Sequence, residues 1–247
     1  MSLESAVGAR LIGTCLVAEK TLSLEFELAD MSYRFEAGQA ASLSFVDPPL
    51  SGDSRTLSFS SAPAELPRVT FATRLASGSP FKESLSRARL NDRFEISSPF
   101  GEFLLPKGEE ESLPLVLLAG GIGITPFRSM IRQIRQSGRK RCHLTLLTLN
   151  RTQEETPFYE ECRLWKEEGV LSWVPVETRG PAASGRSRES LVTSALEGIF
   201  KETGDGARLY LAGPPAMVDG LARILETAFR FPQERLTMDL FFGYPST

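Results

Sequence analysis

A glycine-rich turn is the strongest chemical signal in the sequence. It follows the apolar run 113–119 and reads Gly120-Gly121-Ile122-Gly123-Ile124-Thr125-Pro126. Glycine lets backbone N–H groups approach an anion closely, while Thr125 suits a helix N-cap and Pro126 the first helical position. Unpaired N–H groups and the positive end of the helix dipole would then face a phosphate. The turn matches neither the Gly-Lys-Ser/Thr loop nor GxGxxG. It predicts a nucleotide site, the alternative being a plain strand-to-helix turn.

A second predicted helix start has a similar order of residue types. It reads Gly78-Ser79-Pro80-Phe81-Lys82, which is a glycine, a hydroxyl N-cap, Pro, Phe and a cation. The same physical argument predicts an anion site in the front half of the chain. Ordinary helix capping explains the segment equally well.

A third segment combines a cation with hydroxyl groups in an alternating pattern. It reads Arg55-Thr56-Leu57-Ser58-Phe59-Ser60-Ser61. An arginine can bind a diphosphate through its forked donors, and Ser58 offers a hydroxyl to a ring nitrogen. The spacing alone favours the alternative, which is a strand with a surface arginine.

The front half is predicted to consist of short strands separated by Gly and Pro, which indicates an antiparallel barrel or sandwich. One helix, Pro80–Arg89, interrupts the series. The predicted strands are Ala9–Glu19, Thr21–Leu28, Gln39–Phe45, Thr56–Ser61, Arg68–Arg74 and Arg93–Ser97.

The polar stretch Pro106–Glu111 is predicted to link this half to a second one, in which strands and helices alternate. Such alternation is typical of an α/β doubly wound parallel sheet. We therefore expect two domains, a β-barrel over 1–108 and an α/β domain over 112–247. The predicted strands are Leu113–Ala119, His143–Thr148, Val170–Glu177, Ala207–Leu211 and Arg235–Phe242, and the helices after the first are Glu154–Glu168, Arg188–Leu196 and Pro215–Phe229.

Composition excludes several other classes of protein. The 247 residues carry 28 Lys+Arg and 31 Asp+Glu, a formal charge of −3, which gives no overall attraction to nucleic acid. Cys15, Cys142 and Cys162 form no metal-binding spacing, and His143 has no second histidine, so no metal is predicted. Without a membrane-length apolar run or a signal segment, we expect a cytoplasmic protein.

Six motifs in a fixed order resemble the ferredoxin–NADP reductase family in its bacterial form, over nearly the whole chain. They are Arg55–Ser61, Gly78–Leu85, Pro99–Phe103, Gly120–Pro126, Gly213–Met217 and Phe241–Tyr244. The resemblance implies an FAD-binding barrel, with FAD rather than FMN, followed by a domain for NADPH or NADH.

The resemblance also implies residue roles in the two sites. Arg55 would hold the FAD pyrophosphate, Ser58 would hydrogen-bond flavin N5, and Thr56 and Leu57 would also belong to the cofactor site. The remaining flavin contacts would come from Thr73, Arg74, Gly78, Ser79 and Lys82. The nicotinamide nucleotide would lie at Gly120, Gly121, Gly123 and Thr125, with Gly213, Pro214 and Pro215 beside the nicotinamide and Phe241 or Phe242 near the flavin.

Two departures from the family pattern affect these roles. Leu57 stands where the family has a tyrosine that stacks on the flavin, which predicts weak flavin retention. Asp239 stands where the family usually has a glutamate near the terminus. Ser58 and Asp239 are the candidate catalytic residues.

Two groups of arginines lead to further predictions. Arg151 follows the second strand of the α/β half, where it could clamp a 2′-phosphate and favour NADPH, with Arg179, Arg186 and Arg188 nearby. NADPH and NADH both remain open, since a solvated loop explains the same residues. A row on the first α/β helix is either a solvated face or a docking surface for an acidic acceptor; it consists of Arg128, Arg132, Arg135 and Arg139.

The resulting hypothesis is a flavin-dependent oxidoreductase that takes hydride from NADPH or NADH onto FAD. Electrons would pass to a ferredoxin-like protein or a diffusible acceptor. The alternatives are an electron-transfer subunit of a larger redox complex and a nucleotide-binding redox sensor without turnover.

Overall fold

A computed structural model describes residues 6–47, 53–75, 79–138, 143–180, 183–204 and 206–242. The chain forms two compact units. Unit 1 contains the described residues of Met1–Leu105 and Thr125–Ser137, and unit 2 those of Pro106–Ile124 and Gly138–Gly243. The first helix after the glycine turn therefore groups with the front half of the chain. The domain limits of 108 and 112 remain a prediction.

Unit 1 is an antiparallel sheet of six strands in the order β4-β3-β6-β1-β2-β5. The edge strands β4 and β5 meet through a bridge between Phe59 and Phe71, and the Ser60 N–H donates to the Thr70 carbonyl at 2.8 Å. The sheet thus closes on itself, and the predicted barrel is confirmed. Its elements are β1 Val7–Ala18, β2 Thr21–Leu28, β3 Ala40–Phe45, β4 Ser54–Ser58, β5 Arg68–Arg74, α1 Pro80–Arg87 and β6 Arg93–Ile96.

The barrel core is aromatic. Leucine and phenylalanine recur at every second position of β2, so one face of the strand lines the core. Phe26 contacts Phe94 edge to face with ring centroids 5.0 Å apart, and Phe35 stacks on Phe59 at 4.1 Å. Such pairs add to the gain from burying the rings, so the core holds the strands on which the predicted site residues lie.

Unit 2 has a five-stranded parallel sheet in the order β11-β10-β7-β8-β9. The chain runs outward from β7 to β9 and then returns to the other side of β7, which puts the switch point between β7 and β10. The predicted doubly wound sheet is confirmed. Its elements are β7 Leu115–Gly120, β8 Leu144–Asn150, α3 Tyr159–Glu167, β9 Ser172–Glu177, α4 Arg188–Thr203, β10 Arg208–Gly213, α5 Pro215–Phe229 and β11 Leu236–Leu240; α2, Ile124–Ser137, follows β7.

Two predicted helix boundaries were wrong by more than one helical turn. The helix expected to end at Leu196 continues to Thr203. The helix expected from Glu154 begins only at Tyr159, because the Thr156 N–H donates to the Gln153 carbonyl in a turn and Phe158 has a φ of 58°. The predicted linker contains a 3₁₀ turn over Gly108–Ser112. None of the helices in the described ranges is long and apolar enough to cross a membrane.

The barrel core makes a prediction about stability. Phe26→Ala should lower the free energy of unfolding by about 3–5 kcal/mol, because a ring that is 0% exposed would leave a cavity. Leu16→Ala is the control, since Leu16 is 69% exposed and its truncation should change stability by about 0.5 kcal/mol or less. Chemical denaturation measures both, and equal losses would contradict this account of the core.

Candidate cofactor-binding sites

The glycine turn lies at the carboxyl end of β7. Gly120 ends the strand, Gly121–Gly123 form a 3₁₀ turn, and α2 starts at Ile124. The prediction of Thr125 as N-cap and Pro126 as first helical residue was therefore wrong. The 3₁₀ turn runs directly into the α-helix, so Thr125 is already helical, and its side chain is 1% exposed.

The three glycines of the turn are needed for different reasons. Gly121 has a φ of 53°, and a Cβ built on it would have no atom within 4 Å, so this backbone faces open space. A Cβ on Gly123 would overlap the Ala212 carbonyl oxygen, and one on Gly120 would overlap Met217 Cε. Close packing therefore explains Gly120 and Gly123, while Gly121 combines a glycine conformation with room for a ligand.

The loop after β10 packs directly against this turn. Gly213 has a φ of 149°, and a Cβ on it would lie 2.9 Å from the Gly120 carbonyl oxygen. Pro214 and Pro215 follow, with Pro215 as the first residue of α5. The neighbouring carboxyl ends of β7 and β10 at the switch point are where doubly wound sheets bind their ligands.

Asp239 and Phe241 lie at the same end of the neighbouring strand. Asp239 pairs with Ala212 in the parallel register, and the Phe241 N–H donates to the Gly213 carbonyl at 2.9 Å. Burial raises the pKa of the Asp239 carboxyl, and a hydrogen bond from the Leu240 N–H opposes that shift in part. The side chain therefore keeps a proton to higher pH than an exposed aspartate.

The arginines predicted to select the donor lie beyond β8 and β9. Arg151 pairs with Glu155, with Nε 2.9 Å from Oε2, and its carbonyl accepts the Arg179 N–H at 2.8 Å. Arg186 donates to the Ser190 carbonyl and to Ser194 Oγ. Arg188 is the exposed first residue of α4. The strand ends thus bring Arg151 and Arg179 together, as predicted for neighbouring parallel strands.

In unit 1, three cations surround the start of α1. Ser79 caps the helix, its Oγ accepting the Lys82 N–H at 3.5 Å. Burial lowers the pKa of the Lys82 ammonium, and the charges of Arg55 and Arg74 lower it further. The guanidinium of Arg55 lies over the Phe81 ring, 4.9 Å from its centroid. Mutual repulsion of these charges beside a helix N-terminus makes the region complementary to a phosphate. Gly78 lies outside the described residues.

The strand that carries Arg55 presents the other predicted side chains. Arg55 and Leu57 share one face of β4, and Thr56 and Ser58 share the other. Leu57 is half-buried and packs against the barrel core, whereas Ser58 is 7% exposed and pairs with Ala40 of β3.

Thr73 and Arg74 end β5, next to the start of β2. Thr73 pairs with Leu22 and is buried, and Arg74 pairs with Thr21 and is exposed. Thr73 therefore offers backbone rather than side chain to a ligand, whereas Arg74 adds its charge to the group of cations.

Two arginines of the row on α2 form hydrogen bonds within the protein that neither interpretation of the sequence predicted. Arg128 Nη1 donates to the Ser60 carbonyl at 2.7 Å, and Arg132 forms two hydrogen bonds with Glu65, of 2.8 and 3.0 Å. For these two residues, both the solvated face and the docking surface were wrong. Arg135 is exposed, and Arg139 lies outside the described residues. Only a tertiary structure brings α2 next to residues 60–65, so the pattern alone could not find these contacts.

Comparison with known proteins agrees with this geometry. Residues 117–223 match the family model described as "Oxidoreductase NAD-binding domain". Ferredoxin–NADP reductase B of Sorangium cellulosum is 27% identical over 241 residues, which cover 94% of this chain and 96% of that protein. The phenol hydroxylase P5 protein of Acinetobacter pittii is 24% identical over 210 residues, 83% of this chain but only 57% of the longer relative.

The fold has solved counterparts. A ferredoxin NADP⁺ reductase from Neisseria gonorrhoeae, crystallised with bound FAD and NADP, superposes with a TM-score of 0.76 at 23% identity, covering 95% of this chain and 98% of that one. The matched domain and the shared fold make this chain similar to oxidoreductases that contain a nicotinamide-nucleotide domain. The predicted resemblance to ferredoxin–NADP reductases is confirmed by these comparisons.

The packed glycines make a prediction about the turn. Gly123→Ala should lower the free energy of unfolding by about 1–3 kcal/mol, because its Cβ would meet backbone that cannot move aside independently. Gly198→Ala in α4 meets no atom within 4 Å and should instead stabilise by about 0.5–1 kcal/mol. Thermal and chemical unfolding measure both substitutions. A harmless Gly123→Ala would refute the close packing of the two loops.

Proposed function

We propose that this protein is an NAD(P)H-dependent flavoprotein reductase, which takes hydride from NADPH or NADH onto FAD and passes electrons to a protein or small-molecule acceptor. One observation carries the proposal. The chain has two phosphate-complementary sites of different construction, a group of cations at the start of α1 and an open glycine turn at the start of α2. A flavin and a nicotinamide nucleotide are a pair of ligands that requires two such sites.

The cations of unit 1 suit the FAD pyrophosphate. Arg55 offers forked donors to a diphosphate, and Lys82 and Arg74 add charge beside the Ser79-capped helix. Burial and the charges of Arg55 and Arg74 lower the pKa of Lys82, and a bound anion would relieve the repulsion among the three cations. In this proposal Ser58 donates its hydroxyl hydrogen bond to flavin N5. Thr56, Leu57 and Thr73 line the same site, and Gly78 completes the helix start.

The turn of unit 2 suits a nicotinamide nucleotide. Backbone N–H groups at Gly121–Gly123 bind its pyrophosphate, with Gly120 and Thr125 on either side. Gly213, Pro214 and Pro215 lie beside that turn and would border the nicotinamide, together with Phe241. The proposed domain limits follow the same division, 1–108 for flavin and 112–247 for the nucleotide, although the helix 125–137 groups with unit 1.

The chain's own contribution to catalysis is orientation and proton control. When bound, FAD and the nicotinamide nucleotide supply the redox chemistry, a hydride passing from the nicotinamide ring to the flavin. Fixing donor and acceptor in reactive geometry removes much of the entropic barrier. Ser58 would offer a hydrogen bond to the flavin in unit 1, and Asp239, whose pKa is raised by burial, would hold a proton at the strand end of unit 2.

The second candidate is an electron-transfer subunit of a larger redox complex. The coverage of 57% of the phenol hydroxylase P5 protein favours it, because that relative contains further sequence. Leu57 is the one feature that favours a redox sensor without turnover.

In either enzyme hypothesis the electron acceptor is a ferredoxin-like protein or a diffusible molecule. The proposed location is the cytoplasm, which holds the nicotinamide nucleotide pool.

The visible absorption spectrum tests the proposal. The purified protein, reconstituted with FAD if dialysis has removed it, should show flavin bands that bleach when NADH or NADPH is added without oxygen. Turnover with a panel of acceptors then separates a self-sufficient reductase from a subunit. A protein that binds neither FAD nor FMN would overturn the proposal.

Lys82 predicts a pH dependence of flavin binding. A bound pyrophosphate favours the charged ammonium, so flavin affinity should fall as the pH rises through the lowered pKa of Lys82, below the range of an ordinary lysine. Lys82→Met should bind flavin more weakly at neutral pH and lose this dependence. Flavin release rates across an alkaline pH series measure it. Identical pH profiles in the two proteins would show that Lys82 does not face the pyrophosphate.

The position of Arg151 leads to a prediction about the preference between NADPH and NADH. If this arginine exchanges Glu155 for a 2′-phosphate, Arg151→Ala should reduce the NADPH/NADH ratio of kcat/KM about tenfold or more, because a charge-assisted hydrogen bond is lost. Arg163→Ala removes an exposed arginine of α3 in the same unit and should leave the ratio unchanged. An unchanged ratio in Arg151→Ala would exclude that role and favour NADH.

A further inference from the structure

Two adjacent side chains of α2, those of Arg128 and Ser129, donate hydrogen bonds to the segment that directly follows strand β4. Arg128 Nη1 donates to the Ser60 carbonyl at 2.7 Å, and Ser129 Oγ donates to the Ser61 carbonyl at 2.5 Å. Ser60, Ser61 and Ser129 are all fully buried. Because a buried carbonyl without a donor is strongly unfavourable, these bonds fix residues 60 and 61 against α2.

Ser60 and Ser61 also form hydrogen bonds with Thr70 of β5, and they thereby connect the end of β4 to β5. The Ser60 N–H donates to the Thr70 carbonyl at 2.8 Å, and the Thr70 N–H donates to Ser61 Oγ at 3.0 Å. The hydroxyls of Ser60 and Thr70 are 2.8 Å apart, and Arg128 Nη1 lies 3.3 Å from Thr70 Oγ1. Arg128 therefore belongs to a closed polar network at the seam of the barrel, in which each bond constrains the others.

The network lies next to the proposed flavin contact. Ser58 precedes Ser60 by two residues, and the intervening Phe59 is fully buried and bridged to Phe71. A rigid connection of two residues means that a shift at Ser60 moves Ser58. One turn further along α2, Arg132 pairs with Glu65 in the following loop rather than with the strand end.

The helix that makes these contacts begins at the proposed nucleotide turn. The 3₁₀ turn Gly121–Gly123 is followed immediately by Ile124, the first residue of α2, and Arg128 comes one turn later. A ligand that accepts hydrogen bonds from the backbone of this turn would order the first turn of α2, because the helix starts directly at the turn.

We propose that Arg128 is a positioning residue that couples the two cofactor sites. Nucleotide binding at Gly121–Gly123 restricts the motion of the first turn of α2. Through the hydrogen bonds of Arg128 and Ser129, it also restricts the segment next to Ser58. The inference rests on the proposed function. Linkage requires that a nucleotide which favours the flavin-bound state also raises flavin affinity, by a factor that is commonly about 5–150. We expect the higher affinity to be expressed as slower flavin release.

ADP-ribose is the probe that isolates this effect. It carries the adenosine and pyrophosphate but no nicotinamide, so it fills the turn without stacking on the flavin. The flavin release rate of the full-length holoprotein is measured after dilution, with and without saturating ADP-ribose. In the unaltered protein ADP-ribose should slow release about fivefold or more.

Substitutions on α2 assign the coupling to Arg128. In Arg128→Met the rate should become independent of ADP-ribose, while Arg128→Lys, which keeps the charge and one donor, should retain part of the effect. Arg132→Met and Arg135→Met are matched controls on the same helix and should keep the full ratio. Thermal unfolding of each holoprotein separates lost coupling from lost stability, since Arg132→Met also removes a partly buried ion pair with Glu65.

The outcomes separate this inference from the function on which it rests. Bound flavin that is bleached by NAD(P)H but released at the same rate with and without ADP-ribose would overturn the coupling and leave the function intact. A full ratio in Arg128→Met would overturn the role of Arg128. Failure to bind any flavin would instead count against the proposed function.

Discussion

The close approach of two backbone segments at the carboxyl ends of β7 and β10 is the constraint on which unit 2 depends. A Cβ at Gly123 would overlap the Ala212 carbonyl, which is backbone, and a Cβ at Gly120 would overlap the side chain of Met217. Parallel pairing of Ala119 with Ala212 brings the segments to the same edge. These contacts fix one side of the turn, whereas a Cβ at Gly121 would meet no atom within 4 Å, which leaves room for an anion there.

In unit 1, the candidate anion site depends on clustered positive charge rather than on closely packed backbone. The start of the short helix α1 lies beside Arg55, Arg74 and Lys82, and burial together with the like charges of the two arginines lowers the pKa of Lys82. Such an arrangement is unfavourable by itself and becomes favourable when a diphosphate is bound. The barrel core of packed phenylalanines provides the rigidity that keeps these cations together.

The sequence predicted the order of elements well because periodicity and Gly/Pro positions depend on local physics. The strands of both sheets, the helix cap at Ser79 and the position of Arg151 beside Arg179 all follow from such signals. Two features could not be predicted. The packing reason for Gly120 and Gly123 depends on Met217 and Ala212, nearly a hundred residues away, and the contacts of Arg128 and Arg132 depend on the grouping of α2 with the barrel.

Hydride transfer from a nicotinamide donor to bound FAD is the central claim, and single-turnover kinetics tests it most directly. Reconstituted protein is mixed without oxygen with NADH or NADPH carrying either hydrogen or deuterium at the transferred position, and the visible flavin band is followed. The account predicts bleaching in one turnover that deuterium slows, because that bond breaks in the step. A bound flavin whose band does not bleach with either donor would contradict it.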